Sequence, residues 1–263
     1  MAAVEAPSIL PVDHLSLSSL RLFAQCPERW RRRYLEREYE PPSGKMILGS
    51  AVGAAEAQSY SLKLETGEPY SVEQVCDEFD AEYEDRISRE PVEWGNDNAG
   101  DLKDSGVVVL EKYHREIVPE VVPVSVEREF ELSWPGIDWN VVGFIDVEDA
   151  DGVVRDLKVR GKRMSQKDAH ADLQPTLYLA ARRAEGAPAE GFVFDTMVRA
   201  TKPFAESVAT WRSDAQLDHM SARIFALAIE LDWRVQSGNW TGAAPGTWFC
   251  GTCSYMDCPW RLG

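Results

Sequence analysis

Gly143-Phe144-Ile145-Asp146, the turn Asp149-Ala150-Asp151-Gly152 and Asp156-Leu157-Lys158 decide how this chain is read. The segments on either side of the turn read as strands, over about 138–147 and 153–159. The Asp-Gly pair between them is favoured in tight hairpins. Residues two apart on a strand share a face, so Asp156 and Lys158 project together. The hairpin brings Asp146 beside them. Two carboxylates so placed repel each other and gain from a shared divalent cation, and hard oxygen ligands suit Mg²⁺ or Mn²⁺. Such a metal polarises a phosphodiester and lowers the pKa of a bound water. Lys158 can position that water or stabilise charge developing on phosphorus. Two aspartates and a lysine at this spacing also occur on ordinary solvent-facing hairpins, so the flanking sequence has to decide.

Upstream, 124–132 alternates like a further strand. Before it the pattern is helical: one helix over 17–37, capped by Asp13 or Ser16, and a small-residue helix over 47–64. An acidic stretch over 71–118 reads as helices with a polar break around 91–106. Downstream, Pro175 is tolerated only in the first turn of a helix, so a helix over 173–184 begins near Asp172. Two strands follow, 191–199 and 205–211. A long helix over 214–235 carries Leu217, Met220, Ile224, Leu227 and Leu231 on one face. The tail is rich in Gly, Trp and Cys. The order is that of a mixed α/β protein.

The net charge of −16 argues at first sight against a nucleic-acid partner. Its distribution weakens the objection. Between Glu65 and Asp104 lie fourteen acidic and three basic residues, whereas Arg155 to Lys167 holds six basic residues and one acid. Six arginines fall between Arg21 and Arg37. A polyanion meets the local field of its groove, not the sum over the chain. No apolar run approaches the ~20 residues of a membrane span, and the first ten residues lack a signal peptide's basic and apolar regions. The expectation is a cytoplasmic protein (host cytoplasm if phage-encoded) with no membrane partner. There is no Walker-type phosphate loop.

Gln174 and Tyr178 lie four apart at the start of the helix after the hairpin, hence on one face. Arg160, Lys162, Arg163 and Lys167 precede them. The five cysteines are an odd number, so metal or cluster ligation is a better expectation than a disulfide framework. Cys250, Cys253 and Cys258 can reach one centre, and Cys26 is the candidate fourth ligand. A Cys₄ zinc site and an iron–sulfur cluster share this spacing. Cys76 reads as a buried small hydrophobe.

The order Gly-x-x-Asp, Asp-x-Lys, Gln-x-x-x-Tyr resembles the PD-(D/E)XK nuclease superfamily, specifically its RecB-like branch. Ser18-Ser19-Leu20, Cys26-Pro27-Glu28-Arg29-Trp30 and Tyr34 look like the opening motif of the members that carry an iron–sulfur cluster. Cys250-Gly251-Thr252-Cys253 through Cys258-Pro259-Trp260 looks like their closing motif. Such members include AddB-type nuclease domains, CRISPR-associated RecB-like exonucleases and phage exonucleases. The resemblance implies a restriction-endonuclease-like α/β fold: a mixed central sheet flanked by helices, a helical insertion and a C-terminal iron–sulfur clasp. It implies that Asp146 and Asp156 bind metal, that Lys158 is the catalytic lysine, and that Gln174 and Tyr178 contact DNA and order the site. The basic residues 160, 162, 163 and 167 would bind DNA. Cys26, Cys250, Cys253 and Cys258 would ligate a [4Fe–4S] cluster, with Zn²⁺ as the alternative.

One departure stands out. Gly53 occupies the place of the metal-binding His found in many relatives, which leaves Glu56, or Glu129 on the first strand, as a candidate further ligand. The expected function is a Mg²⁺- or Mn²⁺-dependent exonuclease on DNA ends or single strands, in recombination, repair or phage DNA processing. The alternative is a nuclease-fold DNA-binding protein or subunit without turnover. A recombination or helicase partner, or self-association, fits either. The expected division is 14–64 as the helical part of the nuclease and cluster domain, 65–120 as an acidic insertion, 121–237 as the nuclease core and 238–263 as the cluster-binding tail.

Overall fold

The computed structural model describes residues 14–133, 139–244, 247–251 and 253–261. The chain forms two units. One comprises Met1–Glu40, Glu131–Gly143 and Asp218–Gly263; the other comprises Pro41–Phe130 and Phe144–Leu217.

In the first unit, β1 (His14–Leu15) runs parallel to Asn140 and Val141. Helix α1 (Leu17–Gln25) is capped by Ser16, whose side chain accepts the Ser19 N–H; Asp13 lies outside the described residues. The single helix expected over 17–37 is broken at Cys26. A residue before proline is driven out of the α region, and Cys26 is extended at φ −157°, ψ 102°. Pro27 then opens α2 (Pro27–Tyr34), with Cys26 as its cap. Trp30 is fully buried, donates to Ser19 Oγ at 2.8 Å and stacks on Trp240. Arg32 pairs with Asp257 at 2.8 Å, so the opening helices and the tail hold each other directly.

The second unit opens with α3 (Gly44–Thr66), α4 (Val72–Arg89) and α5 (Ala99–Glu116). The polar break is shorter than expected because Asn98 already caps α5. Leu48, Val52, Phe79, Tyr83, Leu110 and Tyr113 form one apolar cluster across the three helices, so the acidic segment turns its charges outward. A Cβ at Gly106 would lie 2.6 Å from Leu48 and 2.7 Å from Phe79, and only glycine permits that approach. Cys76 is half-buried against the same cluster.

The strands follow: β2 (Pro123–Leu132), β3 (Asn140–Asp149) and β4 (Val153–Arg160). Residue 138, the expected start of the second strand, lies outside the described residues. After the strands come α6 (Gln166–Ala171), α7 (Gln174–Ala184), β5 (Gly191–Val198), β6 (Phe204–Thr210) and α8 (Asp214–Ser237). β3 and β4 are antiparallel, β4 and β5 parallel, β5 and β6 antiparallel, and β2 pairs with β3. The sheet is mixed and flanked by helices. Gly152 closes the β3–β4 hairpin at φ +76°, donating to Asp149 O at 2.9 Å. Helix α6 was not anticipated, although its capping box, Ser165 with Asp168, is a readable start signal. On α8, Leu217, Met220, Ile224 and Leu231 are buried, with Ala228 taking the place expected of Leu227. Among the described residues no helix is long and apolar enough to cross a membrane.

Candidate active site

The paired register of β3 and β4 runs through Glu148↔Val154 and Val147↔Arg155. Asp146 and Asp156 come one residue further on. Asp146 Oδ2 accepts the backbone N–H of Leu157 at 2.9 Å, filling the place of a ladder carbonyl. Asp156 is 1% exposed. Lys158 Nζ lies 2.8 Å from its Oδ1 and 2.6 Å from its Oδ2. Gln174 Nε2 donates to the same Oδ1 and lies 3.1 Å from the Tyr178 hydroxyl. Phe130 and Phe192 pack edge-on against Tyr178 and fix its ring.

Asp146, Asp156, Lys158, Gln174 and Tyr178 are thus gathered in one place. Gln174 and Tyr178 are both buried and face Asp156 rather than the surface. Pro175 sits in the first turn of α7, so the helix starts where Gln174 can reach the sheet.

Burial pushes the Asp156 carboxyl up to about 7, and repulsion from Asp146 adds to it, against the pull of Lys158. Burial likewise raises Asp146 to about 6, with the Leu157 N–H and Lys158 opposing and Glu127 and Asp195 adding. Asp156 Oδ2 is buried and, apart from its ion pair with Lys158, has no hydrogen-bond partner. Two crowded carboxylates suit a hard divalent cation. The donor chemistry fits, but the described residues form no ready-made cage. Among the described residues, no three His, Cys, Asp or Glu side chains are arranged to hold a metal ion as they stand.

A third carboxylate escaped the sequence reading. A small cavity is lined by Gly53, Ala57, Tyr60, Glu127, Asp146, Val147 and Leu157. Glu127 has φ +46°, a left-handed conformation costly for a residue with a Cβ. Strain of this kind clusters at functional sites. Burial, then Asp156, raises the Glu127 carboxyl above its ordinary value. Glu129, suggested by the sequence, does not line the cavity.

Glu56 is fully buried and also does not line the cavity; its carboxyl lies 3.2 Å from His114 Nδ1. His114 Nε2 lies 2.8 Å from the Tyr70 carbonyl, so Nε2 must carry hydrogen. One proton is therefore shared between Nδ1 and Glu56. Burial raises Glu56, with His114 opposing. Beside this pair, Tyr60 and Tyr113 share a 2.7 Å hydrogen bond, and Arg155 bridges Asp149 and Asp195.

Beyond Lys158, Arg160 is half-buried, while Lys162, Arg163 and Lys167 are exposed. Arg163 is partly spent, 3.3 Å from Glu206 and over the Phe204 ring.

In the first unit, Cys26, Cys250, Cys253 and Cys258 line one small cavity together with Arg29, Arg32 and Arg261. All four are free thiols. Cys26 Sγ accepts the Arg29 N–H at 3.4 Å. Burial raises its thiol, and Cys250 and Cys258 add to that.

The family model of the PD-(D/E)XK nuclease superfamily matches residues 14–258. A crystal structure from Eubacterium rectale, of a protein described as a candidate exonuclease, aligns with a TM-score of 0.63 and 13% identity. The alignment covers 94% of this chain and 90% of that one. At this identity the likeness speaks for the fold alone. SSO0001 aligns over 86% of this chain and 89% of its own, at 13% identity and a TM-score of 0.35, too low to carry an argument. No curated protein matches the chain.

Proposed function

Because the chain belongs to the PD-(D/E)XK nuclease superfamily, we propose that it is a Mg²⁺- or Mn²⁺-dependent deoxyribonuclease that degrades DNA from ends or as single strands. The observation that carries this reading is the meeting of Asp146, Asp156 and Lys158, with Asp156 Oδ2 held by Lys158 alone. Asp146 and Asp156 would hold the cation, with Glu127 as a third donor. When bound, it supplies Lewis acidity and a water acidic enough to attack phosphorus. The chain's own groups do the rest. Lys158 places an ammonium where negative charge develops. Gln174 fixes the rotamer of Asp156, and the Leu157 N–H fixes that of Asp146. Recombination, repair and phage DNA processing all call on such an activity.

The test is digestion of end-labelled DNA with Mg²⁺ or Mn²⁺ beside Lys158→Ala. Loss of about 100-fold or more is expected, and equal rates in the two proteins would end the assignment. A DNA-binding protein without turnover is the second reading. It is favoured by Gly53, which lines the cavity and brings no ligand to it. Salt-dependent binding without cleavage under either metal would select it.

We also propose that Cys26, Cys250, Cys253 and Cys258 hold a [4Fe–4S] cluster with a structural role. All four line one cavity, which supports their ligating one centre together. Arg29, Arg32 and Arg261 would offset the negative charge of four thiolates. Anaerobic purification tests this: iron and sulfide in equal amounts support the cluster, and a colourless protein with stoichiometric zinc replaces it with the zinc clasp.

A further inference from the structure

Trp211, directly after β6, is 65% exposed. It is nevertheless well anchored. His170 on α6 meets its ring edge-on, with centroids 4.9 Å apart. His170 Nδ1 lies 2.7 Å from Thr210 Oγ1, and Gln166 Nε2 donates to Ala209 O at 2.7 Å. On the other side, Arg212 donates to the Trp211 carbonyl, to Thr176 and to the Asp172 carbonyl. An indole left in water on a backbone held this firmly is prepared for something to cover it.

Its surroundings say what. Lys167, exposed, sits three residues before His170 on α6 and so shares its side of the helix. Exposed Lys162 lies in the loop before it. The other end of α6 leads to the catalytic carboxylates: Asp172 caps the helix close enough to repel Asp156, and Gln174 hydrogen-bonds to it. His170, Asp172 and Gln174 thus step from the exposed indole to Asp156. Phosphates suit the lysines, and a base face suits the indole. In a duplex both faces of every interior base are already stacked, whereas each base of an unpaired strand can offer one.

We infer that Trp211, braced by His170, stacks a base of single-stranded DNA, while Lys167 and Lys162 take its phosphates and the strand is led to Asp156 and Lys158. This rests on the nuclease reading and adds a strand preference to it.

The experiment uses the full chain carrying Lys158→Ala, so that the probe is not consumed. Fluorescein-labelled oligo(dT) and a blunt duplex of equal length are titrated by anisotropy. Adding Trp211→Ala should weaken oligo(dT) binding about tenfold, with duplex binding and melting temperature unchanged. Trp211→Phe should recover most of the loss, and Trp211→Leu should not. Lys167→Ala should reduce the salt slope by about one. Unchanged oligo(dT) affinity in Trp211→Ala, or equal loss for the duplex, would overturn the inference. So would full recovery by Leu. The nuclease reading is judged separately, by wild type against Lys158→Ala on labelled DNA. If that comparison holds while the Trp211 variants bind normally, only the strand preference falls.

Discussion

Asp146 Oδ2 takes the N–H of Leu157 at 2.9 Å, the residue between Asp156 and Lys158. One carboxylate thereby does two jobs. It completes the hydrogen bonding of β4 where the ladder stops, and it turns its charge toward Asp156. The two jobs separate by mutation. Asp146→Asn keeps an acceptor for Leu157 and loses the charge. At pH 5 it should melt close to wild type, and at neutral pH it should lose DNA cleavage. Asp146→Ala loses both, and should also lose about 1–3 kcal/mol of stability, because a buried N–H goes unpaired. Paired melting curves and cleavage rates check this, and equal stability losses in the two variants would contradict it.

Gln174 hydrogen-bonds to Asp156, which predicts that it acts through that carboxylate. Gln174→Ala should reduce cleavage about 10- to 100-fold, the usual effect of losing a group that orients a ligand. The loss should fall in kcat and in the metal concentration needed, with DNA binding in Ca²⁺ unchanged. A binding defect instead would mean that Gln174 reaches the strand.

Burial holds both carboxyls above the ordinary 3.8, Asp146 pushed up to about 6 and Asp156 to about 7. A carboxyl raised in the folded state favours folding while protonated. Its contribution is complete below about pH 4 and is lost as pH rises through 6 to 7. The metal-free protein should therefore lose stability over that window relative to Asp146→Asn. Mg²⁺ or Mn²⁺ should raise the melting temperature more at pH 8 than at pH 5, because a cation binds the ionised pair. Scanning fluorimetry at both pH values measures it, and a metal shift independent of pH would count against the paired carboxylates as the binding site.

Gly53 lines the cavity beside Asp146, and a Cβ there would meet nothing within 4 Å. Gly53→His should fold normally, since replacing an interior helical glycine removes a cost of up to ~1 kcal/mol. It should lower the Mn²⁺ concentration needed for half-maximal cleavage. Metal titrations of the two proteins decide it; an unchanged midpoint would show that the position does not face the cation.

Glu127 sits at φ +46° with its carboxyl by the cavity. Glu127→Asn removes the charge but suits the left-handed backbone, which Asn tolerates better than most residues. The variant should hold or gain up to ~1 kcal/mol of stability while cleaving DNA more slowly. A stability loss with full activity would make Glu127 a structural residue only.

The sequence by itself determined the hairpin, the side on which Asp156 and Lys158 project, and the start of the helix that carries Gln174 and Tyr178. These follow from a two-residue period, an Asp-Gly turn and a proline that cannot sit inside a helix. Each is a local property of consecutive residues. The break at Cys26, inside what periodicity reads as one helix over 17–37, had a signal in Pro27 that the periodicity overrode. Tertiary structure decided the rest. It put Glu127, at φ +46°, and not Glu129 at the cavity beside Asp146, which strand alternation does not encode. It buried Glu56 against His114, 58 residues away, and it stood Trp211 beside α6. Periodicity tells which way a side chain leaves its own element. Which distant group meets it there depends on how helices and strands far apart in sequence pack, and packing is set by the whole core at once.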